Sequence, residues 1–432
     1  MIPAPPSDPT LPAITTAWDG NAMGAVLNRA FRDRAVRSCE PYYVKYKPKR
    51  YCRVQYQVEL ENEDGTNLQT QAHVSLYPVR RAEKLAARNG LPHGDRPLSQ
   101  LRATYIPELA AIVQLFPVDL ALPGLAEAIS AKAMTPRIQR ALGERAGGAL
   151  EGCQVELVRY KAAKRAVLRY QLQGTHIRSV FGKIRSDRGG AISSVAVALA
   201  HAGVSTPEPL AYLSDLSLSL QADGAGVRLA DLRNTADYAN WMPAVAETIG
   251  RLHEAKIENL TRFSASAEVE ELQDAAETVT ALLPHLGAAA KSLAHRLSVK
   301  LLTVEGNPAP THGSFHDDQV LVGDTAVALI DLDGAAMANP LSDVGHFLSY
   351  LSAEGASDAY ERFLTGYRSA RRRVADDYLL FEAASLLRWA TLPFRELSQD
   401  WPRSVERRVE LASERLGEAS VRRNCHTRSQ SS

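Results

Sequence analysis

The stretch from Thr311 to Asp343, THGSFHDDQVLVGDTAVALIDLDGAAMANPLSD, constrains this chain more than any other. Gln319–Val322 is a short apolar run, Gly323-Asp324 is a turn signal and Ala326–Ile330 is a second apolar run. The segment therefore reads as loop, strand, turn, strand, loop. Polar and acidic groups stand just before the first strand (His312, Ser314, His316, Asp317, Asp318) and just after the second (Asp331, Asp333). A hairpin lays those two ends side by side, so carboxylates distant in sequence converge. Converging carboxyl and amide oxygens suit a hard cation such as Mg2+, held by one or two carboxylates plus substrate phosphates.

The stretch resembles the catalytic core of the aminoglycoside phosphotransferase and choline kinase group, which has the protein-kinase-like fold. That family's pattern is H-G-D-x-x-x-x-N, a strand pair, I-D-x-[DE], then D-P-x-x-D. Here it runs His312-Gly313-Ser314, Gln319, Ile330-Asp331-Leu332-Asp333 and Asn339-Pro340-Leu341-Ser342-Asp343. Two positions depart from it. Ser314 stands where the family has its catalytic Asp, and Gln319 where it has a metal-binding Asn. Gln319 still offers an amide oxygen. Ser314 cannot serve as a general base at neutral pH, because its hydroxyl is not appreciably ionised.

With 432 residues the chain has room for two or three domains with real cores. Its 45% hydrophobic and 23% charged content is that of a soluble globular protein, and a formal charge of +1 gives no basis for a nucleic-acid or acidic-membrane partner. Cys39, Cys52, Cys153 and Cys425 are scattered without metal spacing, which fits reduced cysteines and a cytoplasmic location. The Pro-rich N-terminus lacks the pattern of a secretory signal, and no apolar run approaches a membrane span.

Taken in order, residues 1–16 read as disordered. Residues 17–147 read as an N-terminal α+β lobe, with a helix from Asn21 to Ala35 followed by alternating, Val- and Tyr-rich strands. Asn62-Glu63-Asp64-Gly65 is a turn, and Pro107–Phe116 fits either a strand or a helix. Leu122–Leu142 reads as helix with a break near Thr135-Pro136, and Gly147-Gly148 as a domain boundary. An internal echo links two places. Val44-Lys45-Tyr46-Lys47 returns as Val158-Arg159-Tyr160-Lys161, and Val54-Gln55-Tyr56-Gln57-Val58 as Leu168-Arg169-Tyr170-Gln171-Leu172. Each copy is strand, basic turn, strand. The echo reads either as chance similarity of two basic hairpins or as two copies of one α+β lobe, the first degenerate.

Residues 148–227 resemble the kinase small lobe, and the resemblance puts the ATP-binding lysine at Lys183, at the end of the strand His176–Lys183. Lys161-Ala162-Ala163-Lys164-Arg165 occupies the phosphate-loop position without a glycine, so Lys161 is a candidate phosphate ligand. The helix that follows, Ala191–His201, has no Glu to pair with Lys183. Leu216–Leu220 leads into a Gly-rich turn that the resemblance makes the adenine hinge, with Gln221 and Asp223 as cofactor-binding candidates. Residues 228–420 read as a helical large lobe, and 421–432 as a disordered tail. Trp389, Phe394 and Trp401 fit the core or an acceptor pocket.

The fold class implied is α+β, a protein-kinase-like two-lobed fold with an extra N-terminal α+β cap on the small lobe, an arrangement similar to the maltokinase-like branch. The activity implied is ATP- and Mg2+-dependent phosphorylation of a hydroxyl on a small-molecule acceptor such as a sugar, aminosugar, amino alcohol or aminoglycoside. Asp331, Asp333 and Gln319 are the expected metal ligands. Ser314, Asp317 and His312 are the catalytic candidates, with Asp317 as substitute base and His312 as a loop brace. Asp343 is expected to anchor the catalytic loop. The alternative is a non-catalytic, kinase-like nucleotide- or metabolite-binding protein.

Overall fold

The computed structural model describes residues 3–31, 35–61, 65–92, 103–186, 195, 197–201, 203–224, 226–257, 260–304, 306–323, 326–371 and 376–430. Residues 62–64 of the expected first turn, Asp324, Ala225 and residues 191–194 of the expected helix lie outside them.

Two five-stranded antiparallel sheets carry most of the β structure. The first comprises β1 (Val36–Lys47), β2 (Tyr51–Glu61), β3 (Asn67–Leu76), β4 (Thr104–Ile106) and β5 (Ala111–Leu115), in the order β1-β2-β3-β5-β4. The second comprises β6 (Gly152–Lys161), β7 (Arg165–Gln173), β8 (Ser179–Arg185), β9 (Pro209–Leu213) and β10 (Leu218–Ala222), in the order β6-β7-β8-β10-β9. The path is the same in both, and the pleat explains why each sheet has one packed face. Cys52, Val54, Tyr56, Val58 and Leu60 alternate into the first core; Ala166, Leu168 and Tyr170 alternate into the second. Each large apolar side chain so buried stabilises the fold by about 1.5–3 kcal/mol.

The echo in the sequence extends to contacts that neither hairpin makes alone. Tyr46 Oη donates to Asp8 Oδ2 at 2.9 Å, and Lys49 N–H donates to the same oxygen at 2.8 Å. In the second sheet Tyr160 Oη donates to Asp119 Oδ2 at 2.8 Å, and Ala163 N–H donates to it at 2.7 Å. Lys49 and Ala163 both adopt left-handed backbone, with φ of 59° and 57°. Tyr56 Oη donates to the Ala17 carbonyl as Tyr170 Oη donates to that of Ala128. The two sheets thus share a strand path and a bracing pattern.

The cores set the lobe boundaries. Leu122, Leu125, Met134, Ile138 and Leu142 pack with the second sheet, so the division falls before residue 122, not at Gly147-Gly148. The helix Ala131–Leu142 also runs through Pro136; the break lies at Ile129-Ser130, where Ser130 Oγ caps Ala133 N–H at 3.3 Å. The first sheet shares its core with Leu272, Val279, Leu293, Phe394, Trp401 and Val405 of the helical lobe, and Trp18 stacks on Phe394 with centroids 5.3 Å apart. The N-terminal lobe is therefore seated on the large lobe and does not merely cap the small one. Residues expected to be disordered contribute: Asp8 and Leu11 are buried, and the last helix, Trp401–Gln430, runs through most of the expected tail. Pro107–Phe116 resolves into a single 3-10 turn and β5.

A third core surrounds the segment singled out first. Phe315 stacks on Phe347 at 4.8 Å, and Phe347 on Phe363 at 4.4 Å. The strands β11 (Val227–Arg228), β12 (Ala309–Thr311), β13 (Val320–Gly323), β14 (Ala326–Leu329) and β15 (Ala336–Ala338) hold it, with β13 and β14 forming the expected hairpin and β12 pairing with β15. Among the described residues no helix is long and apolar enough to cross a membrane. Cys39, Cys52 and Cys153 are buried free thiols.

Candidate active site

The loop after β12 is fixed by one carboxylate. Asp343 Oδ2 accepts His312 N–H at 2.6 Å and Oδ1 accepts Gly313 N–H at 2.9 Å. His253 Nε2–H donates to Oδ2 at 3.1 Å, and His253 Nδ1 accepts from Tyr367 Oη at 2.7 Å. Burial would raise the Asp343 carboxyl, but these donors hold it below its usual value. Gly313 has φ of 78°, and a Cβ there would stand 2.2 Å from the Gly334 carbonyl oxygen, so only glycine lets the loop approach. His312 is buried and its Nε2–H donates to the Ile330 carbonyl at 2.9 Å, which ties the loop to the end of β14. Ser314 follows, half-buried and without a hydrogen-bond partner among the described residues.

Asp317, the expected substitute base, is unsuited to that task. Arg233 Nε and Nη2 bind its two oxygens at 2.6 Å each, and Tyr238 Oη donates to Oδ2 at 2.8 Å. Burial works to raise this carboxyl, yet Arg233, His316 and Tyr238 hold it far below the usual carboxylate range. A carboxylate so buried and so fully bonded is a weak proton acceptor. It fixes the turn before β13.

Asp331 and Asp333 meet the cations of the second sheet across a cleft. Lys183 Nζ contacts both carboxylates. Arg165 Nη1 lies 2.9 Å from Asp331 and 3.2 Å from Asp333, and Arg185 contacts Asp333. Asp331 adopts left-handed backbone with φ of 61°. Burial would raise it, but Lys183 and Arg165 hold it far below the usual carboxylate range. Lys183 finds these carboxylates in place of the Glu that its neighbouring helix lacks. Arg165 and Arg185 were not legible as site residues from the motif. The signal was the strand period: Lys183 and Arg185 share one face of β8, and Arg165 is the register partner of Arg185.

The cleft behind this cluster has a volume of about 450 Å³ and is lined by Val167, Phe181, Lys183, Gln221, Leu321 and Asp331, among others. Asp223 also lines it, but its carboxylate is bound by Arg169 at 2.9 Å and by Ser179. Lys161 does not line it; it faces a separate cavity on the other side of the Lys161–Arg165 turn. Gln319 reaches the cleft, with its side-chain amide 3.2 Å from His316 Nε2. His316 Nδ1 accepts Asp318 N–H at 3.3 Å, and it is the amide nitrogen of Gln319 that faces the ring's Nε2.

Residues 162–376 match the model of the phosphotransferase enzyme family (APH). That segment belongs to the phosphotransferase enzyme family. No curated protein sequence matches the chain. Among solved structures, a choline/ethanolamine kinase family protein from Mesorhizobium loti aligns with a TM-score of 0.45 and 16% identity, over 66% of this chain and 95% of that one. A spectinomycin phosphotransferase in complex with ADP and spectinomycin aligns with a TM-score of 0.48 and 12% identity, over 66% and 98%. A choline kinase from Streptococcus pneumoniae gives 0.46 and 12%, over 66% and 99%.

The phosphotransferase-family segment begins in the turn after β6 and holds every site candidate except Lys161. Its donor set fits a divalent cation. Asp331 and Asp333 converge on the same Lys183, and Asp333 Oδ1 is buried without a hydrogen-bond partner. Among the described residues no group of three or more His, Cys, Asp or Glu side chains forms a metal cage, so further ligands to such an ion would be phosphate oxygens or water.

Proposed function

We propose that the chain is a nucleotide-dependent phosphotransferase acting on a hydroxyl of a small molecule, such as a sugar, aminosugar, amino alcohol or aminoglycoside. The observation that carries this reading is the convergence of Lys183, from the second sheet, on Asp331, from the family segment's strand end. Lys183, Arg165 and Arg185 are poised to exchange carboxylate partners for nucleotide phosphates, and each exchange trades one charge-assisted bond for another. Mg2+, when bound through Asp331 and Asp333, would neutralise phosphate charge. The apolar walls Val167, Phe181 and Leu321 suit a nucleobase.

Ser314 itself supplies no carboxylate to act as base. Transfer of a phosphoryl group passes through a loose transition state, so positioning and charge neutralisation supply most of the acceleration and proton removal from the acceptor comes late. Arg165 and Arg185 add positive charge at the reacting end. The test is 31P NMR of the full-length protein with ATP, Mg2+ and a panel of hydroxylated acceptors. A new phosphomonoester resonance, lost in Asp331→Ala, is expected.

Ser314 also favours a second reading, a kinase-like protein that binds nucleotide without turning it over. Nucleotide binding with no phosphomonoester from any acceptor would select it.

A further inference from the structure

The two sheets use the same face in the same way. In the second sheet, Arg159 pairs with Val167 and Arg169 with Phe181, and these residues line the cleft beside Lys183. In the first sheet, Lys45 pairs with Arg53 and Gln55 with His73 at the corresponding register. These four residues also line a cavity, of about 280 Å³, closed on its far side by the helix Ala265–Leu282 and by Arg388, Trp389 and Arg395. The N-terminal lobe thus has a cleft of its own in the position that the nucleotide cleft occupies on the second sheet.

Its lining is strongly cationic. Glu271 and Asp274 are its carboxylates, and both are engaged: Glu271 with Arg388 at 3.0 Å, and Asp274 with Lys47. Lys45, Arg53, Lys161, Lys164 and Arg395 have no carboxylate partner among the described residues. Three donors of the lining residues, Arg53 Nε, Arg388 Nε and Trp389 Nε1, are buried without an acceptor. Burial, then Arg395, Lys164 and Arg53, pull the Lys45 ammonium down to about 8; burial, then Arg159 and Arg165, do the same to Lys161. Folding has gathered cations and donors that repel one another, and an anion among them would relieve that repulsion.

We propose that this second cleft binds an anionic small molecule, one bearing phosphate or carboxylate groups, through Lys45, Arg53, Lys161 and Arg395. The volume, near the lower end for ligand pockets, suits a compact metabolite. Trp389 also lines it, and the Lys161–Arg165 turn lies between the two clefts, with Lys161 and Lys164 lining this one and Arg165 the other. Binding here does not require phosphoryl transfer, so it stands or falls apart from the catalytic reading.

The experiment is isothermal titration calorimetry of the full chain with inorganic pyrophosphate in one arm and citrate in the other, which separates phosphate from carboxylate preference. Wild type, Lys183→Ala and the double variant Lys45→Met/Arg395→Met are compared. Binding of at least one probe is expected to survive Lys183→Ala and to weaken by ~10-fold or more in the double variant. No heat with either probe, or loss in Lys183→Ala with the double variant unaffected, overturns the proposal. Hydrogen exchange on the wild type gives an independent readout. Probe-induced protection is expected in residues 36–61; protection confined to residues 165–185 overturns the assignment as well.

Discussion

Lys183 and Asp331 form an ion pair that joins the second sheet to the strand end of the phosphotransferase-family segment, and each side chain is at most 16% exposed. The pair holds the cleft in register while Arg165 and Arg185 share its carboxylates. Lys183→Met is expected to lower the unfolding free energy by only about 1–2 kcal/mol, because Arg165 remains to neutralise Asp331. Nucleotide affinity is expected to fall by ~10-fold or more. A thermal melt and a nucleotide titration on the same sample check both; a large stability loss with unchanged affinity would make the pair purely structural.

Asp317→Asn tests the role the geometry gives this residue. The bidentate Arg233 pair is lost, at a cost of about 2 kcal/mol, moderated because Arg233 is 39% exposed. Turnover per folded molecule is expected to stay within about tenfold, since a general base is typically worth ~100-fold or more. Loss of all turnover in a protein that still melts cooperatively would restore Asp317 as the base.

Ser314→Asp supplies a carboxylate at the loop position where the natural chain has a hydroxyl. If proton removal limits the natural protein, turnover rises by on the order of 100-fold. Steady-state kinetics of wild type and variant decide it, and an unchanged kcat would show that the missing carboxylate is not what limits the rate.

Stability is expected to fall as the solution is acidified. His73, His253 and His346 are buried, and burial pulls each below its usual value. The unfolded chain takes up protons near pH 6.5 that the folded chain refuses. This contribution is therefore full above that pH and declines below it, by at most about 1.4 kcal/mol per pH unit for each histidine. Asp343, held below its usual value, adds a further loss under about pH 4. Thermal melts from pH 7.5 to 5 should show a falling Tm, with a shallower fall in His73→Gln; a flat profile contradicts the burial argument.

The parallel bracing of the two sheets predicts matched costs. Tyr46→Phe and Tyr160→Phe each remove one donor from a buried carboxylate and should each cost about 1–3 kcal/mol in chemical denaturation. A measurable cost in one sheet alone would break the equivalence.

The hairpin and the loop brace were legible because strand period, turn residues and the Gly313 contact are local properties of residues 311–343. The tyrosines of the echo marked the shared bracing, but Asp8 and Asp119 could not be read, since each lies far from its partner tyrosine in sequence. Asp317 misled because its neighbour in sequence is Ser314, whereas the group that decides its chemistry, Arg233, arrives from a distant turn. The seat of the N-terminal lobe on the helices was likewise invisible. Trp18 and Phe394 meet only in three dimensions, and their apolar character fits any core.

The most direct measurement is calorimetric titration of ATP with Mg2+ into wild type, Lys183→Ala and Asp331→Ala. The account predicts one-to-one binding in the wild type that needs the metal ion and weakens by ~10-fold or more in both variants. Equal affinity in all three proteins, or no binding to the wild type, would contradict the assignment of the Lys183–Asp331 cleft as a nucleotide site.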